Sequence, residues 1–258
     1  MLKVNKIVNL IKNGKFEVSA RKLLPLKKNK IRIKIKAVGI CASDIPRAHD
    51  NGAYNYPLVM GHEMTGEIFE SHLKEFKTGD RAVIFPLIPC KKCKYCREKK
   101  YNHCTNYSYY GSREDGGYAN YIDVYPWNIL KIEKKISFLD SFALEPSAVA
   151  LNTINTLFQD KPKKKEKILV LGSGFIGLLI INLLKIKYKK LNLTVVDRND
   201  HKLKMPTYLQ NDPHILSQKS YTFSKLFQYL TQSLILNHRK KFFSSIQQCY
   251  KFHHCRQL

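Results

Sequence analysis

Cys41, His62, Glu63 and Glu145 are residues whose types suit chemistry at a metal ion. A thiolate, an imidazole and carboxylates so far apart in sequence meet on one ion only if the fold gathers them. Catalytic zinc sites are assembled in that way, from three protein ligands and a position left for water or substrate. The imidazole sits in Gly61-His62-Glu63-Met64-Thr65-Gly66, and Cys41 precedes it by 21 residues. A second group is denser. Cys90, Cys93, Cys96 and Cys104 follow the spacing C-x2-C-x2-C-x7-C, which lets four thiolates close a tetrahedron around zinc. An iron–sulfur cluster is the rival, but its bacterial run has three residues before the last cysteine and a proline after it. Here the gap is seven and Thr105 follows, so a closed structural zinc site is expected.

A third group is built of glycines. Ile168-Leu169-Val170-Leu171 runs into Gly172-Ser173-Gly174-Phe175-Ile176-Gly177, an apolar helix follows, and Leu193-Thr194-Val195-Val196 ends at Asp197. A glycine fingerprint by itself is weak. One that leaves a buried-type strand, opens a helix and is followed 20 residues later by an acid points to a dinucleotide. The glycines and the residues between them, Phe175 and Ile176, bring backbone N–H groups to the pyrophosphate. Asp197 then takes the ribose hydroxyls. Its carboxylate repels a 2′-phosphate, so NAD is preferred, while the adjacent Arg198 leaves NADP open.

The elements that must position these groups are legible in outline. Residues 31–38 alternate apolar and basic, a strand with one face on a core and one in water. Cys41 lies just past its end. Short apolar segments at 67–69, 81–85 and 118–124, separated by Thr78-Gly79-Asp80 and Asp115-Gly116-Gly117, predict a β-rich first domain. Residues 141–158 read as a helix whose start is interrupted by Glu145-Pro146, and 159–167 as a charged linker.

Composition narrows the function classes. The formal charge of +25 over 258 residues raises nucleic-acid binding. The lysines are spread along the chain rather than gathered on a face, so no nucleic-acid partner is expected. No run of 18 apolar residues and no secretory leader are present, so the expectation is a cytoplasmic protein with no membrane partner. In a reducing compartment the crowded cysteines argue for metal rather than disulfides.

Taken together, Cys41-Ala42-Ser43-Asp44, Gly61-His62-Glu63, the four-cysteine lobe, Gly111-Ser112-Arg113, Asp115-Gly116-Gly117, Glu145-Pro146 and the glycine fingerprint resemble the zinc-dependent medium-chain alcohol and polyol dehydrogenases. Glu145-Pro146 points to the sorbitol-dehydrogenase-like branch. Ser43-Asp44-Ile45-Pro46-Arg47, Asn51-Gly52-Ala53 and Tyr56-Pro57 resemble its polyol-phosphate members. The resemblance implies an α/β protein with a β-rich GroES-like domain at 1–145, its zinc lobe at 85–106, and a truncated, doubly wound Rossmann domain at 146–205. It implies two zinc ions and NAD per chain, and hydride transfer from a small secondary alcohol, a polyol or polyol phosphate, bound between the domains. Cys41, His62 and Glu145 would surround the catalytic zinc, with Glu63 an alternate or water-mediated ligand. Asp44 would orient the histidine and Ser43 relay the departing proton. Bland readings stand beside these: Glu145 as a helix cap, Ser43 as a turn hydroxyl, Arg47 as a solvated arginine rather than a phosphate contact. Members of the family are homo-oligomers, a weaker expectation for a shortened chain. The relay histidine often found five residues after the first ligand is Pro46 here, and the loop 70–74 lacks the usual glycine turn.

Residues 206–258 have another character. They hold no Ala, Val, Gly or Glu and a single Asp, whereas residues 1–205 hold 10 Ala, 11 Val and 12 Gly. These amino acids share codons that begin with guanine, so their joint loss reads as out-of-frame translation, with a natural helical extension around 223–236 as the alternative. Cys249, His253, His254 and Cys255 fit no recognised metal spacing. The expected consequence is impaired catalysis; a non-enzymatic zinc-binding remnant is the first alternative and a basic nucleic-acid-binding protein the second.

Overall fold

The computed structural model describes residues 4–158, 167–188, 191–197, 199 and 215–217. The chain divides into two compact units, one holding residues up to Glu145 and the other beginning at Pro146.

The first unit is built on antiparallel strands. β1 (Val4–Lys12) and β2 (Lys15–Lys22) form a hairpin, and β4 (Leu58–Val59) pairs with β1 on its other side. A second sheet has the order β10-β6-β5-β3-β9, made from β3 (Ile31–Gly39), β5 (Glu63–Ser71), β6 (Arg81–Ile84), β9 (Tyr121–Val124) and β10 (Ile129–Ile132). The alternation along β3 sends Ile31 and Ile33 into a core with Met64, Ile68, Ile84 and Val124. Each such side chain contributes about 1.5–3 kcal/mol relative to exposure, enough to fix the register. That register has Gly39 opposite Glu63. The end of β3 and the start of β5 therefore lie side by side, bringing Cys41, two residues past Gly39, to the level of His62.

The other face of β3 is not uniformly wet. Arg32 is 5% exposed, because its guanidinium forks onto Asp123 at 2.7 and 2.8 Å and also reaches Glu70 and the Leu24 carbonyl. Hydrogen-bond pairing on both prongs offsets the desolvation of the cation.

Shorter elements carry the loops. α1 (Asp44–His49) follows Cys41, and β7 (Leu87–Ile88) pairs with β8 (Ser108–Tyr109) around the cysteine lobe, which contains α2 (Lys94–Arg97). Instead of one helix from Ser141, α3 (Phe138–Ser141) is separated from α4 (Leu144–Leu157). The Ser137 hydroxyl caps α3 by accepting from the Asp140 N–H at 3.0 Å. Pro146 falls in the first turn of α4, where its missing N–H has no intrahelical partner to lose.

In the second unit β11 (Lys167–Leu171), α5 (Phe175–Lys187) and β12 (Asn192–Val196) form a strand–helix–strand unit, with β11 and β12 parallel. β13 (Ile215–Ser217) adds a third parallel strand beside β12, one more than the two strands the sequence predicts. Val170, Leu193 and Val195 are buried, but Leu169 and Leu171 are 57% and 75% exposed. The strand read as buried throughout is therefore buried on one face. Among the described residues nothing covers the other. The expectations for 159–166, Arg198 and the rest of 206–258, including Cys249 to Cys255, lie outside the described residues. No helix among the described residues is long and apolar enough to cross a membrane.

Candidate functional site

The four sulfurs of Cys90, Cys93, Cys96 and Cys104 lie within 4.8 Å of one another. Two of their separations, Cys90 to Cys96 and Cys93 to Cys104, are 3.9 Å. A tetrahedron with metal–sulfur bonds of about 2.3 Å has edges of about 3.8 Å, so the cage has the size of a zinc site. Backbone N–H groups point at the sulfurs: Cys90 N–H donates to Cys104 Sγ and Cys93 N–H to Cys90 Sγ. Such donors hold Cys93 down to about 6, Cys96 and Thr105 supplying them, while burial pushes Cys96 up to about 12. Lys91 and Lys99 sit at φ 60° and 61°, a left-handed backbone that costs a side-chain-bearing residue about 1–3 kcal/mol each. The lobe is tethered through Trp127, whose ring meets Phe85 at 5.2 Å and Tyr101 at 5.6 Å between centroids.

The second cluster joins β3, α1 and β5. Ligand atoms of Cys41, His62 and Glu63 lie within 4.8 Å of one another. Glu145 stands outside that trio but is buried at 6% exposure, and its charge acts on both His62 and Glu63. Asp44 accepts from the Cys41 N–H at 3.1 Å and from the Tyr118 hydroxyl at 3.2 Å through Oδ2. Its Oδ1 lies 3.4 Å from His62 Nδ1, an ion-pair distance that leaves this oxygen without a formed hydrogen bond. The Ser43 hydroxyl, on the exposed side, reaches Cys41 Sγ at 3.3 Å.

Electrostatics describe the chemistry of the cluster. His62 lowers the Cys41 thiol, with help from Ser43. Burial works against a charged His62, yet Asp44, Cys41 and Glu145 together raise it to about 10. Burial pushes Glu63 up, and raises Glu145 to about 7. One imidazolium offsets little of the negative charge that three carboxylates and a thiol would carry in a desolvated space; a divalent cation would offset more of it. The donor set of sulfur, nitrogen and carboxylate oxygen suits zinc.

Two glycines make the cluster possible. A Cβ on Gly39 would stand 2.0 Å from Glu63 Oε2, so the carboxylate occupies space that any other residue would fill. Gly61 has φ +90°, and a Cβ there would meet the Tyr118 ring at 2.7 Å. Tyr118 and Tyr109 are held protonated first by burial and then by nearby carboxylates. The Tyr109 ring lies edge-on to His62 at 5.9 Å. Strand pairing, rather than any spacing signal, brings these phenols in.

In the second unit the glycine turn leaves β11 as the fingerprint predicts, with Gly172 at φ +95°. A Cβ on Gly177 would lie 2.0 Å from the Gly172 carbonyl oxygen, so the helix starts hard against the loop. Gly174 is the N-cap of α5, and Phe175 and Ile176 open its first turn. Asp197 accepts from the Ser173 N–H at 2.7 Å and from its hydroxyl at 3.2 Å through Oδ2, and from the Asn199 N–H through Oδ1. Arg198 lies outside the described residues. A separate cavity of about 380 Å³ is lined by Arg21, Lys30, Arg32, Tyr110 and Asp123. None of the candidate ligands borders it, and its Arg32 and Asp123 are paired with each other.

Residues 27–134 match the alcohol dehydrogenase GroES-like domain. Galactitol 1-phosphate 5-dehydrogenase of Escherichia coli K12 is 34% identical over 177 residues, 68% of this chain and 50% of that protein. Sorbitol dehydrogenase of Bacillus subtilis (strain 168) is 30% identical over 160 residues, 59% of this chain and 44% of that protein. The crystal structure of E. coli galactitol-1-phosphate dehydrogenase superposes with a TM-score of 0.71 at 29% identity, covering 92% of this chain and 66% of that one. The rspB alcohol dehydrogenase of E. coli CFT073, solved with NADH, gives 0.74 at 28% identity over 85% of this chain and 64% of that one. The chain spans about half the length of the curated relatives it matches. With the GroES-like β-rich unit, the strand–glycine-turn–helix unit and these relatives in hand, the chain belongs to the zinc-type medium-chain alcohol and polyol dehydrogenases.

Proposed function

We propose that this protein is a zinc-dependent, NAD-linked dehydrogenase that moves a hydride from a secondary alcohol of a small polyol to the nicotinamide. The observation that carries the reading is the meeting of Cys41, His62 and Glu63 within 4.8 Å, with the buried Glu145 interacting electrostatically with His62 and Glu63. Zinc bound there supplies a Lewis acid that acidifies an alcohol. The chain's own groups do the rest. Cys41 and His62 would hold the ion, with Glu63 or Glu145 supplying a carboxylate. Asp44 fixes the imidazole by its Nδ1, so that Nε2 is left for the metal. The Ser43 hydroxyl, on the exposed side of Cys41, takes the proton of the alcohol and passes it to water. In the second unit, Gly172, Gly174, Phe175, Ile176 and Gly177 receive the pyrophosphate, and Asp197 exchanges its bond to the Ser173 hydroxyl for the ribose. A second zinc would be held by Cys90, Cys93, Cys96 and Cys104.

The test is NAD reduction by the zinc-loaded chain with a panel of polyols. Ser43→Ala should lower turnover about a hundredfold and leave zinc content unchanged. Equal turnover in the variant, or none in either protein, would overturn the assignment. Asp44→Asn loses the anion behind His62. The first centre's zinc affinity should then fall about 10- to 100-fold, measured by competition with a chelating dye, with the cysteine cage unaffected.

A further inference from the structure

Two arginines outside the metal ligands share one aromatic ring. The Arg47 guanidinium carbon lies 5.7 Å from the Tyr54 ring centroid, and that of Arg113 lies 4.5 Å from the same centroid and 4.5 Å from Tyr107. Neither has a carboxylate partner among the described residues. Arg47 Nε is buried with no hydrogen-bond acceptor. Arg113 has the Tyr107 hydroxyl at 3.5 Å, too long to satisfy a fork of five N–H donors. Holding two cations on one ring without an anion between them is electrostatically unfavourable, and ring faces offset that only in part. Tyr54 and Tyr107 are exposed at 61% and 37%, so a solute can reach the pair.

The arginines are tied by backbone to the reaction centre. Arg47 lies one turn along α1 from Asp44, which touches Cys41 and His62. The Arg113 N–H donates to the carbonyl of Tyr109 at 2.9 Å, and the Tyr109 ring edge meets His62. Both guanidiniums are thus carried on segments that also bound the metal cluster.

We infer that Arg47 and Arg113, both held against Tyr54, form an anion subsite that selects substrates bearing a terminal phosphate monoester. A phosphate carries about −1.5 to −2 charges and three acceptor oxygens, which match two planar forks. A carboxylate, with one charge and two oxygens, is satisfied by one fork. The inference rests on the proposed reaction centre for its placement, but its test reads binding rather than turnover.

Calorimetry on the zinc-loaded chain with sorbitol 6-phosphate, sorbitol and gluconate should show the phosphate ester bound about a hundredfold tighter than the other two, as two charge-assisted contacts allow. Arg113→Met and Arg47→Met should each erase about a tenfold share of that preference without changing affinity for sorbitol. Arg113→Lys and Arg47→Lys keep the charge, lose the fork and fall between. Zinc content of every variant reports that it has folded. Equal binding of all three ligands, gluconate bound as tightly as the ester, no binding at all, or a preference that survives both Met substitutions would overturn the subsite. Tight, arginine-dependent binding of the ester without any NAD reduction would sink the dehydrogenase reading and leave the subsite standing. Turnover of sorbitol with no phosphate preference would do the reverse.

Discussion

Cys104→Ser is expected to empty the cysteine cage and unfold the lobe between Cys90 and Cys104 while leaving the β-sheet unit folded. Structural zinc contributes about 10–16 kcal/mol of apparent binding free energy in small domains. Losing one of four thiolates should cost about a thousandfold in affinity by that scale. No apolar cluster replaces the ion: Cys96 and Cys104 are the buried residues of the lobe, and Lys91 and Lys99 hold strained backbone there. Trp127, the single tryptophan, touches the lobe through Tyr101, so its emission should shift as the metal leaves. The sheet core around Ile31, Ile33, Met64 and Ile68 lies elsewhere, so far-ultraviolet dichroism should change little. Unchanged zinc content or unchanged tryptophan emission in the variant would show that the four sulfurs hold nothing.

His62→Ala should have a comparable effect at the other centre. It removes a candidate ligand and also a cationic side chain standing among Cys41, Asp44, Glu63 and Glu145. The remaining carboxylates must then take up protons, because desolvation already raises Glu63 and Glu145. Several kcal/mol of Lewis-acid stabilisation would go with the metal, so NAD reduction should fall by about a thousandfold or more. One zinc, that of the cage, should remain. A variant that keeps measurable turnover near the parent's would place the chemistry elsewhere.

Much of this arrangement was legible in the chain because it depends on local rules. Alternation along 31–38 defines a strand, and the strand's end delivers Cys41; glycines at 172, 174 and 177 open a helix against a turn. What spacing could not show is set by register and by pairing partners far away in sequence. Arg32 reads as a wet residue until Asp123 is placed beside it. The inner trio contains Glu63 rather than Glu145 because Gly39, opposite Glu63 in the ladder, leaves room for its carboxylate. Tyr109 ends β8 and Tyr118 follows Gly117, and no local signal aims either ring at the cluster. Arg113 stands in a recognisable Gly-Ser-Arg string, yet nothing local says that it shares Tyr54 with Arg47. The exposure of Leu169 and Leu171 and the extra strand Ile215–Ser217 are likewise matters of neighbours, not of composition.

Native mass spectrometry of the purified chain tests the two-centre account most directly. It predicts a mass carrying two zinc ions, one ion in Cys41→Ser, one in Cys104→Ser and none when both are changed. A parent chain carrying a single ion, or a Cys41→Ser chain that still carries two, would contradict it.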